Sequence, residues 1–212
     1  MDIFFYLALI SVSILAVAFI IERGLALRQH KIIPPAVANA VQHYRTNRDL
    51  DRLRSVCEHY PSTLSRLLVF AAEHLDWSRS ENVAVLETRA RHEVTKMERG
   101  LVILEIIVGI SPLLGLTGTI YGLITLFNSM DQATIETTSR FAQGISLALN
   151  ATLMGLLIAI VSLVGWTIYS KKVETMAVEM ESLCDEFLRK HYRTGDADEA
   201  EPAGTAAGAK KR

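Results

Sequence analysis

Three stretches without a single charged residue constrain this chain more than any other feature. Residues 3–21, 106–130 and 141–170 contain no Asp, Glu, Lys or Arg. At about 1.5 Å per helical residue, each is long enough for a hydrocarbon layer of about 30 Å. A buried helix in a water-soluble core is the competing reading, but uncharged runs of this length are rare there. The sequence therefore predicts an all-α polytopic membrane protein with three transmembrane helices.

The first block lacks the basic leader of a secretory signal, since only Asp2 precedes it, and its apolar run is longer than such signals use. It reads as a retained anchor. Arg23, Arg28 and Lys31 follow the first block, and Lys171 and Lys172 follow the third. The connection between blocks two and three offers Arg140 against Asp131 and Glu136. Cations concentrate on the cytoplasmic side of membrane proteins, which places the N-terminus outside and the C-terminus inside. The predicted division is residues 1–21 as transmembrane helix one and 22–100 as a cytoplasmic helical region. Residues 101–130 form helix two, 131–140 a short periplasmic loop and 141–170 helix three. A cytoplasmic helix over 171–193 and a disordered tail over 194–212 complete the chain.

Half the residues are hydrophobic and the formal net charge is −1, so nucleic-acid binding driven by net charge is excluded. Cys57 and Cys184 have no metal-ligand spacing, the six histidines form no helical pair, and no Walker or dinucleotide motif occurs. Nothing calls for a cofactor, a metal or an enzyme. Pro34-Pro35 stops any helix continuing from the first span. Two or three amphipathic helices should follow, broken near residues 47–49 and at Pro61-Ser62. From Val83 through Leu86, Ala90, Val94, Met97, Leu101 and Leu104 to Val108, apolar residues recur by threes and fours. This stripe predicts one helix running straight into the second span, with Gly100 weakening but not breaking it. Trp166, Tyr169, Val173, Met176, Met180, Leu183 and Phe187 extend the third span in the same way.

The second and third spans spend many positions on small and hydroxylated residues. Ser111, Gly115, Gly118 and Gly122 share one helical face, with Thr119 beside it and Pro112 within the span. Ala148, Thr152, Gly155, Ala159 and Ser162 form a matching face. Such faces let two helix backbones approach closely. The hydroxyls ask for more than packing, and so does Asn150, because an amide in lipid must be paired or wetted. Past Glu105, near the cytoplasmic end, neither span holds a carboxylate, histidine or lysine. If this protein moves ions, a mid-membrane acid has to come from a second protein.

Residues 91–169 resemble the MotA/TolQ/ExbB proton-channel family, most closely its ExbB/TolQ branch. SPLLGLTGTIYGLITLF is similar to the family pattern APxxGLxGTVxGxxxxF, and GISLALNATLMGLLIAI to GIAEALxxTAxGLxxAI. IIERGLALR after the first span and the three-span plan add to the likeness. The resemblance implies a stator-type subunit of the bacterial inner membrane, a homo-oligomer and specifically a pentamer. It implies an ExbD/TolR-like single-span partner, as a dimer, carrying a transmembrane aspartate. Proton flow would then power a TonB/TolA-like protein in outer-membrane transport or envelope maintenance. Thr152 matches the family's threonine in the third span, which the resemblance implies faces the partner aspartate; Asn150, Ser111, Thr119 and Glu105 are the further candidates for the ion pathway or the partner-facing surface, read from their polarity and position. Pro112, Gly115, Gly118, Gly122 and Gly155 would pack the helices. This chain has Leu147 where the pattern has glutamate, and Ile110 where a threonine often stands. A non-conducting scaffold, or a stator driven by another ion, is the alternative.

Overall fold

The computed structural model describes residues 2–45, 49–128 and 137–199, and among them every regular element is a helix. In chain order these are α1 (Asp2–Ala26), α2 (Gln29–Ile32), α3 (Pro35–His43), α4 (Asp49–His59), α5 (Thr63–Glu73), α6 (Arg79–Glu98), α7 (Leu101–Asn128) and α8 (Thr137–Glu199). Three of them, α1, α7 and α8, are long and apolar enough to cross a membrane. The chain divides into two compact units, Met1–Ala26 with Glu98–Lys172, and Leu27–Met97 with Val173–Arg212.

The first unit inverts the usual arrangement of side chains. Its large apolar residues point outward: Ile14 is 63% exposed, Leu113 61% and Ile160 56%. Its small and hydroxylated residues point inward, with Ser111, Ala148, Ala151 and Ser162 buried. Apolar surface on this scale would be costly in water and is what a lipid-facing helix must show. A Cβ at Gly115 would lie 2.9 Å from the Ala151 carbonyl oxygen, and one at Gly155 2.5 Å from that of Ser111. No larger residue permits the α7 and α8 backbones to come this close. Gly118 and Gly122 meet Ala151 and Ala148 less tightly, with a Cβ at 3.2 and 3.1 Å. The Tyr169 hydroxyl ties α1 to α8 by donating to the Ile20 carbonyl at 2.9 Å. It occupies the space a side chain at Gly24 would need.

The second unit is built as a water-soluble core. Pro35 opens α3, where its missing N–H costs nothing, and the Ser62 hydroxyl caps α5 by accepting from the Ser65 N–H at 3.1 Å. Val37, Val41, Leu53, Leu64, Leu67, Leu68 and Ala71 are buried, and so are Val173, Met176, Met180 and Phe187 on the later part of α8. Tyr44 is buried edge-on to Phe187, with ring centres 5.1 Å apart, and its hydroxyl lies 2.9 Å from His191 Nδ1. Burial pushes the Tyr44 hydroxyl up to about 12, with Asp49 adding to the effect, so it stays a neutral phenol beside His191. Lys190 Nζ closes the C-terminal end of α3 by donating to the Val41 and Gln42 carbonyls at 3.1 and 2.6 Å.

Two polar residues on α6 are buried where the apolar stripe alone would put none. The Asn82 amide donates to the Ala71 and His74 carbonyls at 3.1 and 2.9 Å, fastening the start of α6 to the end of α5. Glu93 takes hydrogen bonds from Arg66 at 2.5 Å and Lys96 at 2.8 Å. Burial by itself would raise its pKa, but the two cations reverse this and hold the carboxyl below its ordinary range. Cys57 and Cys184 are buried free thiols, and burial lifts Cys57 to about 11, which leaves it unreactive.

The expected uninterrupted helix into the second span is corrected by the structure: α6 ends at Glu98, and Arg99 and Gly100 form a turn before α7. The Arg23 guanidinium fills the position that a Cβ on Gly100 would take. The close approach of α1 to this turn accounts for glycine at position 100, and helical periodicity does not register it. Residues 129–130 at the end of the expected second span and 131–136 of the expected periplasmic loop lie outside the described residues, and α8 is already helical at Thr137, inside the expected loop. α8 continues to Glu199, past the start of the expected tail, and residues 200–212 lie outside the described residues.

Candidate functional site

Threonines on a membrane helix usually satisfy their hydroxyl on their own helix, and most of those here do. Thr117 donates to the Leu113 carbonyl at 2.7 Å, Thr125 to Tyr121 at 3.0 Å and Thr167 to Leu163 at 2.8 Å. All three are exposed on the outer face. Thr119 and Thr152 behave differently. Their hydroxyls bond to each other across the α7–α8 contact. Thr119 Oγ1 also lies 3.2 Å from its own-helix Gly115 carbonyl and 3.0 Å from the Ala148 carbonyl of α8. Thr152 Oγ1 reaches the Gly115 carbonyl of α7 at 3.2 Å.

Four oxygens thus converge between α7 and α8: two hydroxyls and two main-chain carbonyls. Only the hydroxyls carry protons, so the cluster has more acceptor sites than donors. Both threonines are half-buried, so the cluster is reachable without being dissolved in solvent. Glycine makes the geometry possible, because the Gly115 carbonyl can serve both helices only where no Cβ at Gly115 or Gly155 holds them apart. The arrangement can receive a protonated acid, water or a small cation. It carries no titratable group of its own.

The other residues singled out from sequence fall at different places. Ser111 is fully buried one helical turn from Gly115, and its hydroxyl donates to the Ile107 carbonyl at 2.7 Å. Pro112 stands inside α7 and cannot donate to the Val108 carbonyl, which loosens the helix locally. Gly115, Gly118, Gly122 and Gly155 all sit on the α7–α8 contact. Asn150 is exposed, about 200° around α8 from Thr152, and is not part of the cluster. Glu105 is exposed near the start of α7, about 21 Å along the helix from Thr119. Of Leu147, only its position on α8 is described.

Sequence patterning leaves out the two carbonyls, because main-chain oxygens have no letter. Ser162 is a further polar residue of α8, buried with its hydroxyl unpartnered among the described residues.

Residues 62–182 match the MotA/TolQ/ExbB proton channel family. Among curated proteins, the chain is 33% identical over 162 residues to the putative biopolymer transport protein ExbB-like 3 of Synechocystis, covering 73% of this chain and 75% of that one. It is 28% identical over 207 residues to the Tol-Pal system protein TolQ of Pseudomonas aeruginosa, covering 90% and 88%. With the biopolymer transport protein ExbB of Aquifex aeolicus it shares 28% identity over 113 residues, 53% of this chain and 76% of that one. The match spans the α7–α8 interface and its threonine cluster, and relatives named for biopolymer transport and for the Tol-Pal system share most of its length. The chain is a membrane protein that belongs to the MotA/TolQ/ExbB proton channel family.

Proposed function

We propose that this chain is the channel-forming subunit of an ion-driven stator in the bacterial inner membrane, with its N-terminus periplasmic and its C-terminus cytoplasmic. Several copies, a pentamer on the family resemblance, surround a dimer of an ExbD/TolR-like single-span protein whose transmembrane aspartate carries the proton. Movement of that proton down the proton-motive force drives the complex, which passes work to a TonB/TolA-like protein for outer-membrane transport or envelope maintenance. Each charge crossing the membrane releases about 2.3 kcal/mol per 100 mV.

The observation that carries this reading is the acceptor-rich Thr119–Thr152 cluster in an interface with no acid of its own. A neutral carboxylic acid arriving there donates its O–H to one of the four oxygens. After the proton leaves, a hydroxyl turns and donates to the carboxylate. One threonine pair therefore serves both protonation states without being charged itself, which a fixed cation or carboxylate would not do. Ser111 and the glycine face hold the backbones at the spacing this needs.

A sodium-driven stator is the second reading. Four oxygens, two of them carbonyls, also form a partial shell for a small hard cation. The two readings separate in proteoliposomes containing the chain and its single-span partner. Proton coupling gives flux that follows the pH gradient and ignores sodium, whereas sodium coupling gives the reverse. Failure to co-purify with any single-span, aspartate-bearing protein, together with an absence of flux, would leave the scaffold reading in place of both. Gly118→Leu forces α7 and α8 of one chain apart, and native mass spectrometry should then show loss of the oligomer if assembly needs that pairing.

A further inference from the structure

Glu105 is an exposed carboxylate on α7, set among the exposed apolar side chains Val102, Ile106, Ile110 and Leu113. Among the described residues its side chain has no hydrogen-bond or ion-pair partner. A charge against lipid is costly, so its direction decides what it serves. α1 meets α7 at Tyr121, whose ring centre lies 5.4 Å from that of Phe5, and α8 meets it at Gly115. At about 100° per residue, Glu105 points about 160° away from Tyr121 and about 80° away from Gly115. Pro112 and Thr119 follow at steps of seven residues, each step turning only about 20°. A strip about 40° wide and about 21 Å long therefore runs along α7, away from α1 and beside α8. It carries the Glu105 carboxylate, the Val108 carbonyl that Pro112 cannot serve, and the Thr119 hydroxyl of the threonine cluster.

We propose that this strip is the cytoplasmic half of the ion path and that Glu105 is its proton-release group; the inference rests on the stator reading above. A proton that leaves the threonine cluster travels through water along the strip. At about 2.8 Å per oxygen–oxygen step, each interval of about 10 Å takes some three waters. An O–H bond forms on the Glu105 carboxylate as one breaks on the last of these waters. The carboxylate is restored when cytoplasmic water takes the proton. Its negative charge favours arrival of the cation, and its place near the start of α7 opens it to the cytoplasm. Acids also favour helix starts because of the helix dipole, but that effect fades within the first turn, and Glu105 is the fifth residue of α7. The dipole therefore does not account for it.

The test uses the full chain with its single-span partner in proteoliposomes. Glu105→Gln should lower proton flux at least about tenfold, Glu105→Asp should keep about half or more, and Ile106→Ala, at the same depth, should conduct like the parent. Native mass spectrometry should show the complex assembled in all three. Cysteine labelling reads the strip without flux: a membrane-impermeant thiol reagent should modify Glu105→Cys and spare Ile106→Cys, about 100° round the helix. The parent, whose Cys57 and Cys184 are buried, gives the blank. Parental flux in Glu105→Gln, or equal labelling at 105 and 106, overturns this inference and leaves the stator reading standing. Flux that follows sodium and ignores the pH gradient overturns the proton-release role. A parent complex that conducts nothing removes the stator reading and this inference with it.

Discussion

α8 packs by two different rules along its length. Its earlier part offers Ala148, Thr152 and Gly155 to α7 and buries Ala159 and Ser162, while its later part buries Val173, Met176, Met180, Leu183 and Phe187. The difference follows from the solvent. In lipid, burying a leucine against a helix gains little over burying it against acyl chains. Close backbone approach and interhelical hydrogen bonds remain as the adhesive. In water, apolar area is the dominant stabilising term, so large side chains fill the interior. The threonine cluster exists because the first rule brings carbonyls and hydroxyls of two helices into range. The same residues in the second unit would leave cavities.

The comparison breaks most sharply by exchanging large for small. Phe187→Ala should destabilise the second unit by about 3–5 kcal/mol, because it empties a fully buried position beside Tyr44. Leu113→Ala, on the outer face of α7, should change stability by less than about 0.5 kcal/mol. Thermal unfolding in detergent and in nanodiscs reads both, and equal losses would refute the two-rule account. The opposite exchange should hurt the first unit: Gly155→Leu meets the Ser111 carbonyl and should cost about 1–3 kcal/mol, or prevent α7 and α8 from pairing. Cysteine cross-linking between the two helices would report that separation.

A smaller effect concerns charge. Glu93 is buried, but Arg66 and Lys96 remain 53% and 43% exposed at the side chain. Glu93→Gln should therefore cost only about 1–2 kcal/mol. The folded carboxyl titrates below its unfolded value of about 4.5, so its contribution is complete above that pH and is lost as pH falls further. The glutamine variant should show a flatter loss of stability on acidification below that pH. The smallest change is expected at Thr117→Val, which removes only a bond within α7 on the outer face.

The three apolar spans, the small-residue faces and the position of Thr152 can all be read from residue type and spacing, because burial in lipid acts on composition over whole helices. Finer features cannot. The Thr119–Thr152 pair depends on the height at which α7 passes α8, which spacing along either helix does not determine. Gly100 reads as a mild helix weakness, yet it lies in a turn, and Arg23, some seventy-seven residues earlier, takes the space that a side chain there would need. Asn82 and Glu93 look like solvated positions beside an apolar stripe. Their burial depends on the carbonyls of α5 and on Arg66, which only the fold brings close. Asn150 drew notice as an amide in lipid, and its outward direction follows from the angle around α8.

Ion flux through proteoliposomes carrying the chain and its single-span partner tests the central claim most directly. The set to compare is Thr119→Val, Thr152→Val, the double variant and Thr117→Val. If the cluster is the ion path, either single change abolishes flux while the complex still assembles, the double variant is no worse than either, and Thr117→Val conducts like the parent. Full flux in Thr152→Val, or equal losses at Thr117 and Thr119, would contradict it.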